Sequence, residues 1–469
     1  MRGLGAWITG GVWVLAACGG RTALEGMPLD ATGGAPFGGR AGSGATAAGG
    51  SANGARGGSG AGGTRGHAGV PGGAGGTAGH AGVPSGGSGG AAGQSGSGNS
   101  AGQPAITQKT AKAISAGVDM VCAVATDGSV WCWGNNDDGE LGDGTRTDSL
   151  DVPVRVVGID DAVAVTAGGT WNAGGMGAAL FSFGCALLGD GTVRCWGDVA
   201  GIIAGASVQS SAVPLVVPGV TDAVAISGGD WHACALTRAG LVECWGDNEW
   251  GELGQGDTTD CPAWRCLPAA PAANTPPPHV LGVSGATAVS GKGAPFSCAL
   301  LGDASLQCWG QARGATLAGD TDHADDGIPV PLPGISTTPG GFDIAYDHGC
   351  AISPDASSVR CWGSNIYGEL GDGTTGASGG PVTVANLGAP VMAVSAGVSD
   401  SCAVLGDGSV YCWGDHQAGG SSTPVMVEGL TNVVAISSGY SETCALTQSG
   451  HVFCNVAAGP TVPEAVRGF

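Results

Sequence analysis

Short apolar runs alternate with polar turn signals along most of this chain, and one such phrase returns seven times. In the first copy Ala123-Val124-Ala125 and Ser129-Val130-Trp131 flank Thr126-Asp127-Gly128, a pattern that predicts two short strands around a tight turn. The copies begin at Cys122, Cys185, Cys234, Cys298, Cys350, Cys402 and Cys444, and six of them end in Cys-Trp-Gly. Ahead of the hairpin stands a Val-rich strand running into Ser-Ala-Gly or Ser-Gly-Gly, at 113–117, 225–229, 393–397 and 435–439. Behind it comes a glycine-rich turn, clearest at 135–145, 248–257 and 365–374. A Pro-led strand follows, at 152–159, 213–220, 278–283, 329–335, 381–387 and 424–430, with a last one in the tail at 462–469. Self-similarity of this kind marks a repeat array or a propeller. The first hairpin has no Pro-led strand before it, and the last has none after it except the tail. Seven complete units are therefore expected only if the C-terminal strand pairs with the N-terminal one, a closure that hides the seam and leaves no exposed sheet edge.

The cysteines fit the hairpins. If Thr126, Asp127 and Gly128 form a three-residue loop with Gly128 in the left-handed position, counting outward sets Cys122 opposite Cys132 in a non-hydrogen-bonded pair. Such pairs lie about 4.5 Å apart at Cα, within disulfide reach. The pairs so predicted are Cys122–Cys132, Cys185–Cys195, Cys234–Cys244, Cys298–Cys308, Cys350–Cys361, Cys402–Cys412 and Cys444–Cys454. Cys261 and Cys266 form an eighth pair inside a longer loop, and of the 17 cysteines only Cys18 stands alone. Metal-binding cysteines come as closely spaced pairs facing a second pair, so one pair spaced by ten suits a staple better. Even pairing also points to an oxidising compartment. Two copies deviate: Ala304 stands where the left-handed turn wants glycine, which puts that turn in doubt, and Cys350 and Cys361 are spaced by eleven.

The N-terminus carries an address. Arg2 precedes an uncharged apolar stretch over 4–17, shorter than the roughly 20 residues a membrane span needs. The stretch closes on Leu15-Ala16-Ala17-Cys18-Gly19, which resembles the bacterial lipobox; the resemblance implies a signal peptide over 1–17 and lipidation of Cys18. Residues 31–104 hold 30 of the 95 glycines and no Asp, Glu, Trp, Tyr, Leu or Ile. A segment of that composition buries too little apolar surface to fold, so 18–104 is read as a disordered tether between the anchor and 105–469. Export to the outer membrane or cell surface of a Gram-negative bacterium is the expectation. The formal charge of −22 disfavours a nucleic-acid partner, because that affinity rests on cationic contacts to phosphate.

The repeat Gly-x-x-His-x-Cys-Ala-Leu … Gly-x-Val-x-Cys-Trp-Gly-x-Asn-x-x-Gly-x-Leu-Gly resembles that of the regulator of chromosome condensation family. The resemblance covers 105–469 and implies an all-β fold, a seven-bladed β-propeller of four-stranded antiparallel blades. The His position is kept at His232 and His348 and is Met120, Phe183, Phe296, Asp400 and Glu442 elsewhere, which speaks against a ring-wide metal or catalytic role. Eukaryotic members promote nucleotide exchange on a small GTPase. A lipidated, exported, acidic chain departs from that setting, and the activity is not carried over.

Candidate chemistry is sparse. The Cys-Trp-Gly tryptophans recur at one place in six of the seven units, which assigns them to packing between blades rather than to sugar stacking. The acidic turn Asp137-Asp138-Gly139-Glu140 with Asp143 offers oxygens suited to calcium. It also recurs as Gly251-Glu252-Leu253 and Gly368-Glu369-Leu370, so it reads as a turn of the repeat. No catalytic constellation, metal site or cofactor is expected. Two insertions, 168–181 and 256–278, break the regularity, and long loops on a rigid scaffold are where binding resides. Trp171, Trp250 and Trp264 are the candidate binding residues, Trp264 lying between Cys261 and Cys266. The favoured reading is a monomeric, envelope-anchored, non-enzymatic propeller that binds a protein or glycan. The alternatives are a polysaccharide-acting propeller enzyme and a passive envelope component.

Overall fold

The computed structural model describes residues 8–9, 12–13, 109–172, 179–199, 202–203, 209–256, 277–311, 327–376, 378, 380–388, 390–415, 420–440, 442–456 and 463–469. The expected tether, Cys18, the Cys261–Cys266 pair and Trp264 lie outside them. Near the N-terminus Ile8–Thr9 and Val12–Trp13 pair as a two-stranded hairpin. From 109 onward the described elements are strands and turns only, arranged as seven consecutive antiparallel blades. The innermost strands are Ala111–Ala116, Ala162–Asn172, Ala223–Gly228, Ala286–Ser290, Phe342–Ala345, Val391–Ala396 and Val433–Ser438. Each is followed by the two strands of the stapled hairpin and then by the Pro-led strand at the rim. In the third blade that outer strand shrinks to a single bridge between Glu243 and His279.

Inside each hairpin the register follows from the turn. Cys122 faces Cys132, flanked by Val121 opposite Trp133 and Ala123 opposite Trp131. The sulfurs of all seven such pairs are bonded, with Cα atoms 4.1 Å apart in Cys122–Cys132 and in Cys350–Cys361. Every hairpin turn keeps a residue at positive φ. Ala304 (φ 69°) and Ala356 (φ 57°) adopt it without being glycine, so the left-handed turn doubted at Ala304 does form.

The expected seam does not form. Each blade is complete in itself: the tail strand Glu464–Ala465 pairs with Val452–Cys454 of its own blade, and Ala111–Ala116 pairs only with Met120–Ala125. The physical reason is that each unit begins at the Val-rich inner strand and ends at the Pro-led one. Seven units are then whole, and none needs an exchanged strand. The ring closes instead through contacts that recur between every pair of neighbours. The turn carbonyls of Gly128, Gly191, Gly240, Ala304, Ala356 and Gly408 accept backbone N–H groups of the next blade, and Gly450 O accepts from Ala111 N at 2.9 Å. Apolar packing closes the same interface, with Trp133 and Ile114 against Leu446, Val452 and the buried Phe469.

A second ring of bonds runs closer to the axis. One inner-strand side chain per blade reaches the neighbour: Ser115 Oγ accepts from Ala167 N, Thr166 Oγ1 from Gly228 N, and Ser227 Oγ from Gly291 N. Ser290 Oγ donates to Asp343 Oδ1, and Asp343 Oδ2 accepts from Ala396 N. Ser395 Oγ accepts from Ser438 N, and Ser437 Oγ from Ala116 N at 3.0 Å, which completes the circle. Further out, the indole N–H groups of Trp196, Trp309 and Trp413 donate to Glu140 O, Glu252 O and Glu369 O of the preceding blades. Gly142 shows why that turn requires glycine: its φ is +63°, and a Cβ there would sit 2.8 Å from Trp196 Cδ1.

Three substitutions test these contacts. Ser437→Ala removes the acceptor of both Ala116 N and the Lys292 ammonium, and each buried group left unpaired costs about 1–3 kcal/mol. Ser115→Ala strands only Ala167 N, so denaturant unfolding with the disulfides intact is expected to rank Ser437→Ala as the more destabilised. Ala304→Gly relieves a left-handed alanine and is expected to raise stability by up to about 1 kcal/mol in the same measurement.

Candidate binding site at the axial mouth

The inner strands all end on the same face, where the girdle of hydroxyls holds them in a circle. The third residue past each girdle side chain therefore falls on the rim of the central opening. In the first, fifth, sixth and seventh blades these residues are Val118, Tyr346, Val398 and Tyr440, and all four line a cavity of about 320 Å³. Ile366 and Tyr367, from the turn that follows the third strand of the fifth blade, complete the rim. Three of the four tyrosines in the chain thus converge here. Tyr346 is held at φ 50°, an uncommon backbone for a bulky residue. Ile366, Tyr367 and Tyr440 are 64%, 49% and 42% exposed, a grouping of large apolar surface at an opening.

Lys292, from the fourth blade, also lines the cavity and reaches across the axis to donate to Ser437 Oγ at 2.7 Å. Burial pulls its ammonium below the ordinary lysine range, while Asp343 and Asp400 pull it back up. Burial raises Asp343, and Lys292 opposes that rise. Asp347 and Glu369 bring carboxylates to the wall. Asp347 Oδ1 is enclosed and has no hydrogen-bond partner; His348 Nδ1 stands 3.8 Å away. Glu369 is raised chiefly by burial.

A second cluster looks like hydrolytic machinery and is not. His348 Nε2 lies 2.9 Å from Ser401 Oγ, beside Asp347, in the order of a nucleophile, base and orienting acid. Ser401 and His348 are fully buried, however, and the hydroxyl donates to Glu369 O, so no substrate reaches it. The same contact joins the third blade to the fourth, His232 Nε2 to Ser297 Oγ at 2.7 Å, and the sixth to the seventh, Asp400 Oδ2 to Thr443 Oγ1 at 3.2 Å. It is a strut between blades. Burial drives His232 down to about 3, which keeps it neutral in that role.

The acidic turns are likewise occupied with themselves. Asn136 Oδ1 accepts from Leu141 N, and Glu140 Oε2 from Asp138 N; Asn248, Glu252, Asn365 and Glu369 repeat the arrangement. Of the oxygens read as calcium ligands, those of Glu140 and Asp143 hold the turn's own N–H groups, and Asp138 Oδ1 pairs with Arg146. Glu442, Cys444 and Cys454 lie close together, but both sulfurs belong to a disulfide.

Of the residues singled out from sequence, Trp171 belongs to the long inner strand Ala162–Asn172, which pairs with Ala179–Leu188 well past the length of its counterparts. Gly168, Gly169 and Thr170 of that extension line the cavity, so this insertion borders the mouth. Trp250 is half-buried in the third blade's turn, at the place Tyr367 holds in the fifth, and its N–H donates to Glu252 Oε2. It does not line the cavity. The tyrosines, Lys292 and Asp347 were missed. The available signal was the scarcity of tyrosine and its place at a fixed distance after the Ser-Ala-Gly strand.

Two family models described as the regulator of chromosome condensation (RCC1) repeat match this chain, one over 127–173 and one over 111–140 and 223–252. The E3 ubiquitin-protein ligase HERC2 of Homo sapiens is 27% identical over 288 residues, 59% of this chain and 5% of that protein. The probable ligase HERC4 of Homo sapiens is 38% identical over 76 residues, 16% of this chain and 7% of its own length. The chain thus spans a small fraction of the curated relatives it matches. Among solved structures, Prp20p of Saccharomyces cerevisiae superposes with a TM-score of 0.56 at 19% identity, covering 70% of this chain and 80% of that one. Human WBSCR16 does so with 0.58 at 20% identity, covering 72% and 94%. These two likenesses show the fold.

The turn carboxyls make a pH prediction. Burial, with Asp247 adding to it, pushes Glu252 up to about 8, and burial pushes Glu140 up to about 7. A carboxyl raised by folding lends stability that is fully present below its ordinary value of 4.5 and lost as pH rises through the raised value. Glu252→Gln keeps the acceptor for Trp250 N and cannot ionise. Its stability relative to the parent is expected to grow between about pH 5 and 8, at most about 1.4 kcal/mol per pH unit, in melts across that range. A flat difference would contradict a neutral Glu252.

Proposed function

Because the chain belongs to the regulator of chromosome condensation (RCC1) repeat family, we propose that it acts as a non-enzymatic, protein-binding propeller of the bacterial envelope. The partner docks on the axial face. The observation that carries this reading is the cavity at the mouth, rimmed by Ile366, Tyr367 and Tyr440 and bordered by the extended hairpin. Tyrosine at the centre of a surface opening supplies rigid, amphipathic contact area, which is how interface anchors work. A protein partner is favoured by a similar propeller: Prp20p is described by its binding to Gsp1p and histones, and yeast RCC1 (Prp20) by a complex with Kap60. HERC2 is named a ligase, but this chain corresponds to 5% of it, and no ligase activity is transferred. Cys18 would carry the lipid, and the glycine-rich tether would let the propeller reach beyond the headgroups.

Two experiments test the parts separately. A photo-cross-linking residue at Tyr367 is expected to trap a protein partner in intact cells, and the same residue at Glu428, exposed at the far end of the sixth blade, is not. Equal yields at both positions would remove the axial face from the proposal. For the anchor, metabolic acyl labelling is expected in the parent and lost in Cys18→Ser; label that persists in the variant refutes lipidation there.

A further inference from the structure

We propose that the axial cavity receives a lysine or arginine side chain from a basic segment of the partner, a refinement that rests on the protein-binding reading above. Charge is the first reason. Past residue 104 the chain holds 36 of its 38 acidic residues and 11 of its 16 basic ones, a net of −25. A field of that sign concentrates cationic segments at the surface and turns acidic ones away.

The cavity itself has the two-part character that such a side chain needs. Part of its lining is apolar, from Ala116, Val118, Ala167, Ala345 and Val398, and suits a methylene stem. Its rim offers the rings of Tyr346, Tyr367 and Tyr440, whose faces attract a cation within about 6 Å. Asp347 adds a carboxylate to the same lining, with its Oδ1 turned toward His348 Nδ1 at 3.8 Å. The one cation in the wall, Lys292, is already answered by Asp343 and Asp400. An aliphatic or aromatic side chain would use the wall and gain nothing from the carboxylates of Asp347 and Glu369. An acidic one would meet Asp347 and Glu369 head on.

Calorimetric titration of the full chain, disulfides intact, decides the matter with three probes: hexalysine, hexaglutamate and cellohexaose. Hexalysine is expected to bind and to weaken as salt rises from about 0.05 to about 0.5 M. Asp347→Asn is expected to weaken hexalysine about tenfold, and Tyr367→Ala about fivefold, the size of one exposed cation–π contact. Glu428→Gln removes the same charge far from the mouth and is expected to change affinity by less than about twofold. Tyr440→Ala is a further variant should Asp347→Asn disturb His348. Equal effects of the mouth variants and Glu428→Gln would overturn the inference, as would binding of hexaglutamate or cellohexaose with hexalysine inert. If a partner is trapped at Tyr367 and hexalysine does not displace it, the inference falls and the protein-binding reading stands.

Discussion

Seven oxygen-bearing side chains around the axis, those of Ser115, Thr166, Ser227, Ser290, Asp343, Ser395 and Ser437, set the geometry on which everything else in this propeller depends. Each is buried, and a buried polar group that loses its partner costs more than the bond itself is worth. Neighbouring blades can therefore meet only where a hydroxyl or carboxylate on one aligns with its partner on the next, in six of the seven interfaces an N–H of the backbone. That fixes both the rotation and the height of every blade. It also explains how the ring closes with no strand exchanged: the seventh interface, Ser437 to Ala116, uses the same bond as the others. The fourth and fifth blades meet differently, side chain to side chain through Ser290 and Asp343, and there Lys292 and Asp343 share the cost of two buried charges.

The outer parts of the blades are secured by means that do not depend on one another. A disulfide ties each hairpin internally, removing freedom chiefly from the unfolded chain, by roughly 2–3 kcal/mol for a loop of this length. The tryptophans tie one blade to the previous one through the Gly-Glu-Leu turn. Where the preceding blade lacks that turn, as for Trp245 and Trp362, the buried indole N–H has no partner among the described residues. Those two interfaces, the second with the third and the fourth with the fifth, forgo one bond each and rest on apolar packing and the girdle.

Much of this was legible from residues alone, for a stated reason. Counting outward from Asp127-Gly128 gives the Cys122–Cys132 register because a tight turn fixes strand pairing locally. The same reasoning failed at the seam, where the tail strand was expected to pair with the N-terminal one, although the Pro-led strand behind each hairpin completes its own unit; the inner strand is what opens a unit. The glycine rule failed at Ala304, where the surrounding blades hold a left-handed alanine in place. The site was harder to read. Tyr346, Tyr367 and Tyr440 are scattered through two blades, and only the girdle brings them to one rim. Trp250 drew notice as an aromatic beside a long insertion, yet its turn points its backbone into Glu252 and leaves it off the cavity.

The two faces of the ring differ in what their loops are free to do. On the face away from the cavity, the hairpin turns run over four residues in six blades, because each turn carbonyl must meet the next blade's N–H. The one longer turn, 353–358, still makes that bond, from Val391 N to Ala356 O at 2.9 Å. On the axial face, the segments joining third to outer strands bond to the next blade through the Gly-Glu-Leu turn in the first, third and fifth blades, and they range in length from 415–420 in the sixth blade to 247–278 in the third. Chain length can vary there without loosening the ring. The extended hairpin, Ile366 and Tyr367 all arise on that side, so the same bonds that make one face rigid leave the other open to the lengths and side chains that recognition needs.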